Sequence, residues 1–130
     1  MSKHETPLTK RYWESVGGTL ILEYPAVSRS TSSYGKRFID GVIIIGGKKR
    51  IVKASEVEIE GKDIIVIQAK RTLRGRLGMN LLGQAFFSEG LMKRFKPKSI
   101  RSVALVNRGD EILEPIAAEY GVEVIVYESE

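Results

Sequence analysis

An aspartate at position 40 stands inside the apolar run Arg37-Phe-Ile-Asp-Gly-Val-Ile-Ile-Ile. An acid in such a setting is rarely buried without a cation or hydrogen-bond donors beside it. Gln68 and Lys70 pose the same question at the end of a second apolar run, Ile64-Ile-Val-Ile-Gln-Ala-Lys. On an extended strand they fall on one face, about 7 Å apart, with Ile65, Ile67 and Ala69 on the other, and polar side chains leaving a core must find partners. If the two strands lie side by side, a carboxylate, an amide oxygen and an ammonium converge. Hard oxygen donors of this kind suit Mg²⁺, which keeps several waters for a substrate phosphate and a nucleophile. Lys70 would then orient or help deprotonate the attacking water and offset charge growing on the phosphate. His4, the single histidine, lies in the N-terminal lead-in, so histidine general-base chemistry is not expected.

The elements that must position these groups follow from periodicity and breakers. Residues 1–8 read as a loose lead-in, and Thr9 as a cap for a helix from Lys10 to about Val16 that Gly17-Gly18 stops. Thr19 to Tyr24 reads as a strand broken at Pro25, Ser28 to Gly35 as a Ser/Thr-rich loop, and Phe38 to Ile45 as a strand closed by Gly46-Gly47. Two strands, Arg50–Glu60 and Asp63–Lys70, are expected to form a hairpin about Gly61-Lys62. The alternation of Ser55–Glu60 places Glu56, Glu58 and Glu60 on one wet face. Ile64–Ile67, apolar on both faces, suits a central covered strand. A helix from Leu77 to Phe95 carries an apolar stripe of Leu81, Leu82, Ala85 and Phe86, and Pro97 ends it. A strand at Ser102–Val106, a helix at Glu111–Tyr120 capped by Gly121 and a strand at Val122–Tyr127 complete the order αβββ(β)αβαβ. This is one domain with a mixed sheet and helices packed on it, an α/β (α+β) fold.

Composition bounds the function classes. The 130 residues are enough for a single core, and 42% hydrophobic with 28% charged residues is ordinary for a globular chain. The longest apolar run, Val42–Ile45, is too short to span a bilayer, so no membrane partner is expected. No apolar leader follows Met1, which makes the expected compartment intracellular and cytoplasmic. Without cysteine there is no disulfide, thiolate metal site or cysteine nucleophile. The net charge of +5 is unevenly spread: Met1–Arg108 holds 21 Lys/Arg against 9 Asp/Glu (+12), and Gly109–Glu130 holds 7 Asp/Glu and no Lys/Arg (−7). A basic body with an acidic C-terminal edge favours a polyanionic partner. Arg71, Arg74 and Arg76 follow the Gln68–Lys70 strand directly and would set cations where a phosphate backbone lies. Lys36 and Arg37 belong to a loop end that could close on the same substrate.

Asp40, followed at a distance by Gln68-Ala69-Lys70, resembles the PD-(D/E)XK nucleases in their variant with glutamine in the third motif. The resemblance spans roughly Thr9 to Tyr127 and implies a restriction-endonuclease-like mixed sheet flanked by helices. It matches Asp40 to the metal-bridging aspartate, with Arg37-Phe38-Ile39 standing where the family has proline before it. It matches Glu14, in Tyr12-Trp13-Glu14, to the first-helix acid that holds metal-bound water, and it recruits the backbone carbonyl of Ala69 as a ligand. Glu23, in the first strand, is the rival for the role of Glu14. Gln84 resembles the additional glutamine of the lineage related to recombination and exonuclease nucleases, although Ser88 stands where that lineage has tyrosine. Gln68 is neutral and binds Mg²⁺ less strongly than a carboxylate, so either affinity is modest or Glu14 supplies the missing charge.

The expectation is a Mg²⁺-dependent nuclease, with Mn²⁺ able to substitute, that hydrolyses DNA at Asp40, Gln68 and Lys70. The alternative is a nucleic-acid-binding module that keeps the scaffold without the chemistry. A homodimer would suit cutting of both strands.

Overall fold

The computed structural model describes residues 5–27 and 37–128. Among them are three α-helices, α1 (Glu5–Val16), α2 (Gly75–Lys93) and α3 (Leu113–Glu119). Six strands accompany them: β1 (Thr19–Val27), β2 (Arg37–Ile44), β3 (Arg50–Val52), β4 (Asp63–Ala69), β5 (Ser99–Val106) and β6 (Val122–Val126). They form one mixed sheet in the order β3-β1-β2-β4-β5-β6. β2 runs antiparallel to both β1 and β4, whereas β1–β3, β4–β5 and β5–β6 are parallel. The expected element order and mixed α/β class are therefore found.

Helices cover both faces of the sheet. Leu8, Tyr12 and Trp13 of α1 pack on Ile43, Ile65, Ile67, Ala69 and Leu105. On the opposite face, Met92 of α2 packs with Val42, Ile64 and Val66, while Leu81 and Ala85 share a cluster with Ala117 of α3 and Ala104, Val106 and Val122. β4 is thus buried on both sides, as its unbroken Ile-Ile-Val-Ile run requires. Burial pushes the phenol pKa of Tyr12, on the inner face of α1, and of Tyr24, in β1, above the usual value.

Several sequence expectations are corrected. Helix α1 begins at Glu5 rather than Lys10, and Thr9 is a fully buried residue of it, not its cap. β1 runs through Pro25, because β3 pairs only with Thr19–Ile21 and leaves the proline on an open edge that needs no N–H. The Arg50–Glu60 strand is only three residues long, followed by a 3₁₀ turn at Ala54–Glu56. β3 pairs with β1 at the far edge of the sheet, so no hairpin joins it to β4. Lys36 and the Ser28–Gly35 loop lie outside the described residues.

The stripe that α2 buries is Gly78, Leu81, Ala85, Ser88 and Met92, spaced alternately three and four residues apart. Phe86, expected in the core, is exposed. Small residues bring this helix close to the sheet, and a Cβ at Gly78 would collide with the Leu73 carbonyl.

Candidate active site

The site forms where two strands part. The β2–β4 ladder runs from Ile44–Ile64 to Gly41–Ile67 and stops there, while β4 continues along β5 as far as Ala69–Leu105. Beyond Gly41, the Asp40 carboxylate takes over from the backbone: its Oδ2 accepts the N–H of Ala69 at 2.9 Å.

Asp40 also marks an irregularity shared with β1. The β1–β2 register runs unshifted from Leu22–Gly41 to Tyr24–Ile39, which sets Glu23 opposite Asp40. Glu23 adopts a left-handed backbone, with φ at 51°. Up to this point Leu20, Leu22 and Ile43 face α1 while Ile21 and Val42 face α2. Past it, Tyr24, Ala26 and Ile39 have joined the α2 face. Both strands change phase here, which is how a charged residue sits in an apolar strand without entering either core.

The divergence opens a cavity of about 670 Å³ between the strand ends and α2, lined by Asp40, Gln68, Lys70, Gln84 and Ser88 together with two exposed phenylalanines, Phe38 and Phe87. Gln68 is buried and points toward α2, donating from Nε2 to the Ser88 hydroxyl at 2.7 Å. That bond directs the amide nitrogen at the helix and leaves Oε1 as the group's acceptor. Gln84 and Ser88 are one turn apart on α2 and so present side chains to the same cavity. Lys70 follows the end of β4, half-buried, with its backbone N–H bonded to the Leu105 carbonyl at 3.0 Å.

The three groups read from the sequence, Asp40, Gln68 and Lys70, therefore line one cavity, and Ala69 lies between the latter two with its N–H on Asp40. Gln84 joins them. No protein-family model, no curated protein and no solved structure matches the chain.

Glu14 is not brought to the cavity, which corrects its expected place among the metal ligands. It pairs with Lys49 at 2.9 Å, both side chains well exposed. Lys49 lies beyond Ile44, at the opposite end of β2 from Asp40, a separation of about 13 Å along the strand. The reason is the short α1–β1 connection: Trp13 is buried and ties its Nε1 to the Gly18 carbonyl at 2.7 Å, holding the last turn of α1 at that far end. Glu23 lines a different groove with Lys53 and Glu56, which shares only Phe38 with the Asp40 cavity. Among the described residues no three or more His, Cys, Asp or Glu side chains gather, and Asp40 is the one carboxylate among those that line the cavity.

The arginines after β4 diverge. Arg71 and Arg76 are exposed. Arg74 turns toward the C-terminal strands, its Nε donating to the Gly109 carbonyl at 3.2 Å, and lines a separate groove with Asn107 and Glu128. Arg37 opens β2.

Sequence reasoning missed Ser88 as the partner of Gln68, and the two phenylalanines at the cavity mouth. The three-four spacing of small residues along α2 was the available signal: it turns Ser88 inward and Phe86 and Phe87 outward.

Proposed function

We propose that the protein is a Mg²⁺-dependent nuclease of restriction-endonuclease-like fold, in which Mn²⁺ can replace Mg²⁺, that hydrolyses DNA phosphodiester bonds in the Asp40 cavity. The observation that carries this reading is the 2.9 Å bond from the Ala69 N–H to Asp40, which fastens the acid beside Gln68 and Lys70 on the neighbouring strand. The donor set fits a hard cation that keeps much of its water: a carboxylate from Asp40, the Gln68 amide oxygen freed by the Ser88 contact, and the Ala69 carbonyl. When bound, the ion supplies Lewis acidity toward the phosphate and lowers the pKa of a bound water.

The chain's own groups do the rest. Lys70 orients the attacking water and offsets the charge that grows on the phosphate oxygens. Gln84 offers an amide to the substrate backbone from the opposite wall. Exposed Arg71 and Arg76, in a basic stretch of a body that carries +12 up to Arg108, hold the strand by sequence-independent phosphate contacts.

The test is a panel of labelled DNAs (linear, nicked, flapped, branched and single-stranded) incubated with Mg²⁺ or Mn²⁺. Cuts are expected with the parent and are lost in Asp40→Ala and Lys70→Ala, while both variants still bind DNA. Cleavage by both variants at the parental rate would remove the assignment.

One observation favours a second reading, a binding module without chemistry: Asp40 is the one carboxylate among the described residues lining the cavity, and Glu14 pairs with Lys49 elsewhere. Calorimetric titration separates the two. Absence of Mg²⁺ and Mn²⁺ binding at millimolar ion, with DNA affinity intact, would select the binding module.

A further inference from the structure

Phe38 and Phe87 are 52% and 71% exposed, yet both line the cavity that holds Asp40, Gln68 and Lys70. They reach it from different elements, Phe38 from β2 and Phe87 from α2, so the arrangement is not the accident of one helix face. Phe86, itself half exposed, packs edge-on against Phe87 with ring centroids 5.7 Å apart and an interplanar angle of 82°. None of the three belongs to a core cluster.

Single exposed apolar side chains need no explanation, but large aromatic faces gathered at a polar cavity mark a contact surface. Its charge indicates what is contacted. Lys70 lines the cavity and exposed Arg71 follows it, so a phosphate backbone drawn there carries its bases past the phenylalanines. In an intact duplex each base face is covered by its neighbours and offers nothing to a ring. An unpaired base offers a bare π-face, and stacking of this kind tolerates any base.

We infer that Phe87 and Phe38 stack on unpaired bases beside the cavity, making DNA with unpaired nucleotides next to the scissile bond the preferred substrate class. The inference rests on the nuclease reading for the site it serves, but its test does not need cleavage. A second copy of the chain is the rival occupant of the outer face of α2. Against it stands the position of Phe87: a protein surface docked there would close the mouth of the cavity that Gln68 and Lys70 line.

Binding is measured in EDTA, by fluorescence anisotropy, to a fully paired duplex and to the same duplex carrying a short unpaired gap. The parent is expected to prefer the gapped DNA. Phe87→Leu, which keeps apolar bulk without a ring, lowers that preference by roughly tenfold, and Phe87→Trp retains it. Equal parental affinity for the two DNAs, or a preference that survives in Phe87→Leu, overturns the inference. So does size-exclusion chromatography showing that Phe87→Leu turns a dimer into a monomer while weakening both DNAs alike, because the face then belongs to a second copy. Failure of the nuclease reading shows itself separately, as absence of cuts in any DNA with Mg²⁺, and leaves the gapped-to-paired ratio to decide this inference alone.

Discussion

Asp40 reaches across from β2 and holds the backbone N–H of Ala69 on β4 at 2.9 Å, at the step where the ladder between these strands has ended. The carboxylate has two tasks there, completing the strand pairing and presenting charge to the cavity, and substitutions can separate them. Asp40→Asn keeps an oxygen acceptor for the amide and loses the charge. Asp40→Ala loses both and orphans the Ala69 N–H, costing about 1–3 kcal/mol. In urea unfolding Asp40→Asn is expected to lie close to the parent and Asp40→Ala well below it, with cleavage lost in both. Parental cleavage by Asp40→Asn would show that the charge is not used.

Gln68 makes a gain-of-function prediction. Gln68→Glu supplies the second carboxylate that the cavity lacks, and the Ser88 hydroxyl can rotate from accepting to donating, so the 2.7 Å contact persists with its roles exchanged. The Mg²⁺ concentration for half-maximal cleavage is expected to fall. Without metal the new buried charge destabilises the fold, so added Mg²⁺ raises the melting temperature more in the variant than in the parent. Ser88→Ala acts in the other direction: it frees the amide to rotate, and loss of such a supporting partner weakens metal binding by roughly 10–100-fold. A Gln68→Glu protein with unchanged metal dependence would take Gln68 out of the ligand set.

The part of this site that sequence could show, and the part it could not, divide along the range of the interactions. β4 and its polar end were legible because Ile64–Ile67 must be covered on both faces and alternation fixes which way Gln68 points. Asp40 was legible as an acid in an apolar run, though not the phase change that accommodates it, which needs the left-handed backbone of Glu23 on the neighbouring strand. The partner of β3 was not legible. Ser55–Glu60 alternates as a strand would, but Ala54–Glu56 turns into a 3₁₀ helix, and pairing with β1 across the sheet is a tertiary outcome that no local pattern records. The inner face of α2 departs from the expected stripe because spacing outranks bulk there: Phe86 is larger than Ser88, yet close approach to the sheet favours the smaller residue.

Glu14 supplies a prediction of no effect. Its partner Lys49 and its own side chain are 52% and 61% exposed, a pairing that contributes at most about 1 kcal/mol. Glu14→Ala is expected to cleave DNA at the parental rate, with the same Mg²⁺ dependence and a melting temperature within a few degrees. A loss of cleavage comparable to that of Asp40→Asn would mean that α1 relocates its C-terminal turn toward the cavity when substrate binds.

Gly41 links the core to the cavity most directly. It follows Asp40, faces α1, and a Cβ built on it would lie 2.8 Å from Cγ2 of the fully buried Thr9. Neither α1 nor β2 can yield cheaply, since Leu20 and Ile67 are packed around the same point at 3.5 and 3.6 Å and overpacking of this kind costs about 1–3 kcal/mol. Gly41→Ala is therefore expected to lower stability by that amount and to reduce cleavage, because any shift of β2 moves Asp40 relative to Ala69. Thr9→Ser removes the colliding methyl group and keeps the hydroxyl. The double variant Gly41→Ala/Thr9→Ser should recover both properties, and a double-mutant cycle in urea should return a coupling of at least ~0.5 kcal/mol. Additive losses in that cycle would mean that the Thr9–Gly41 contact does not set the position of Asp40.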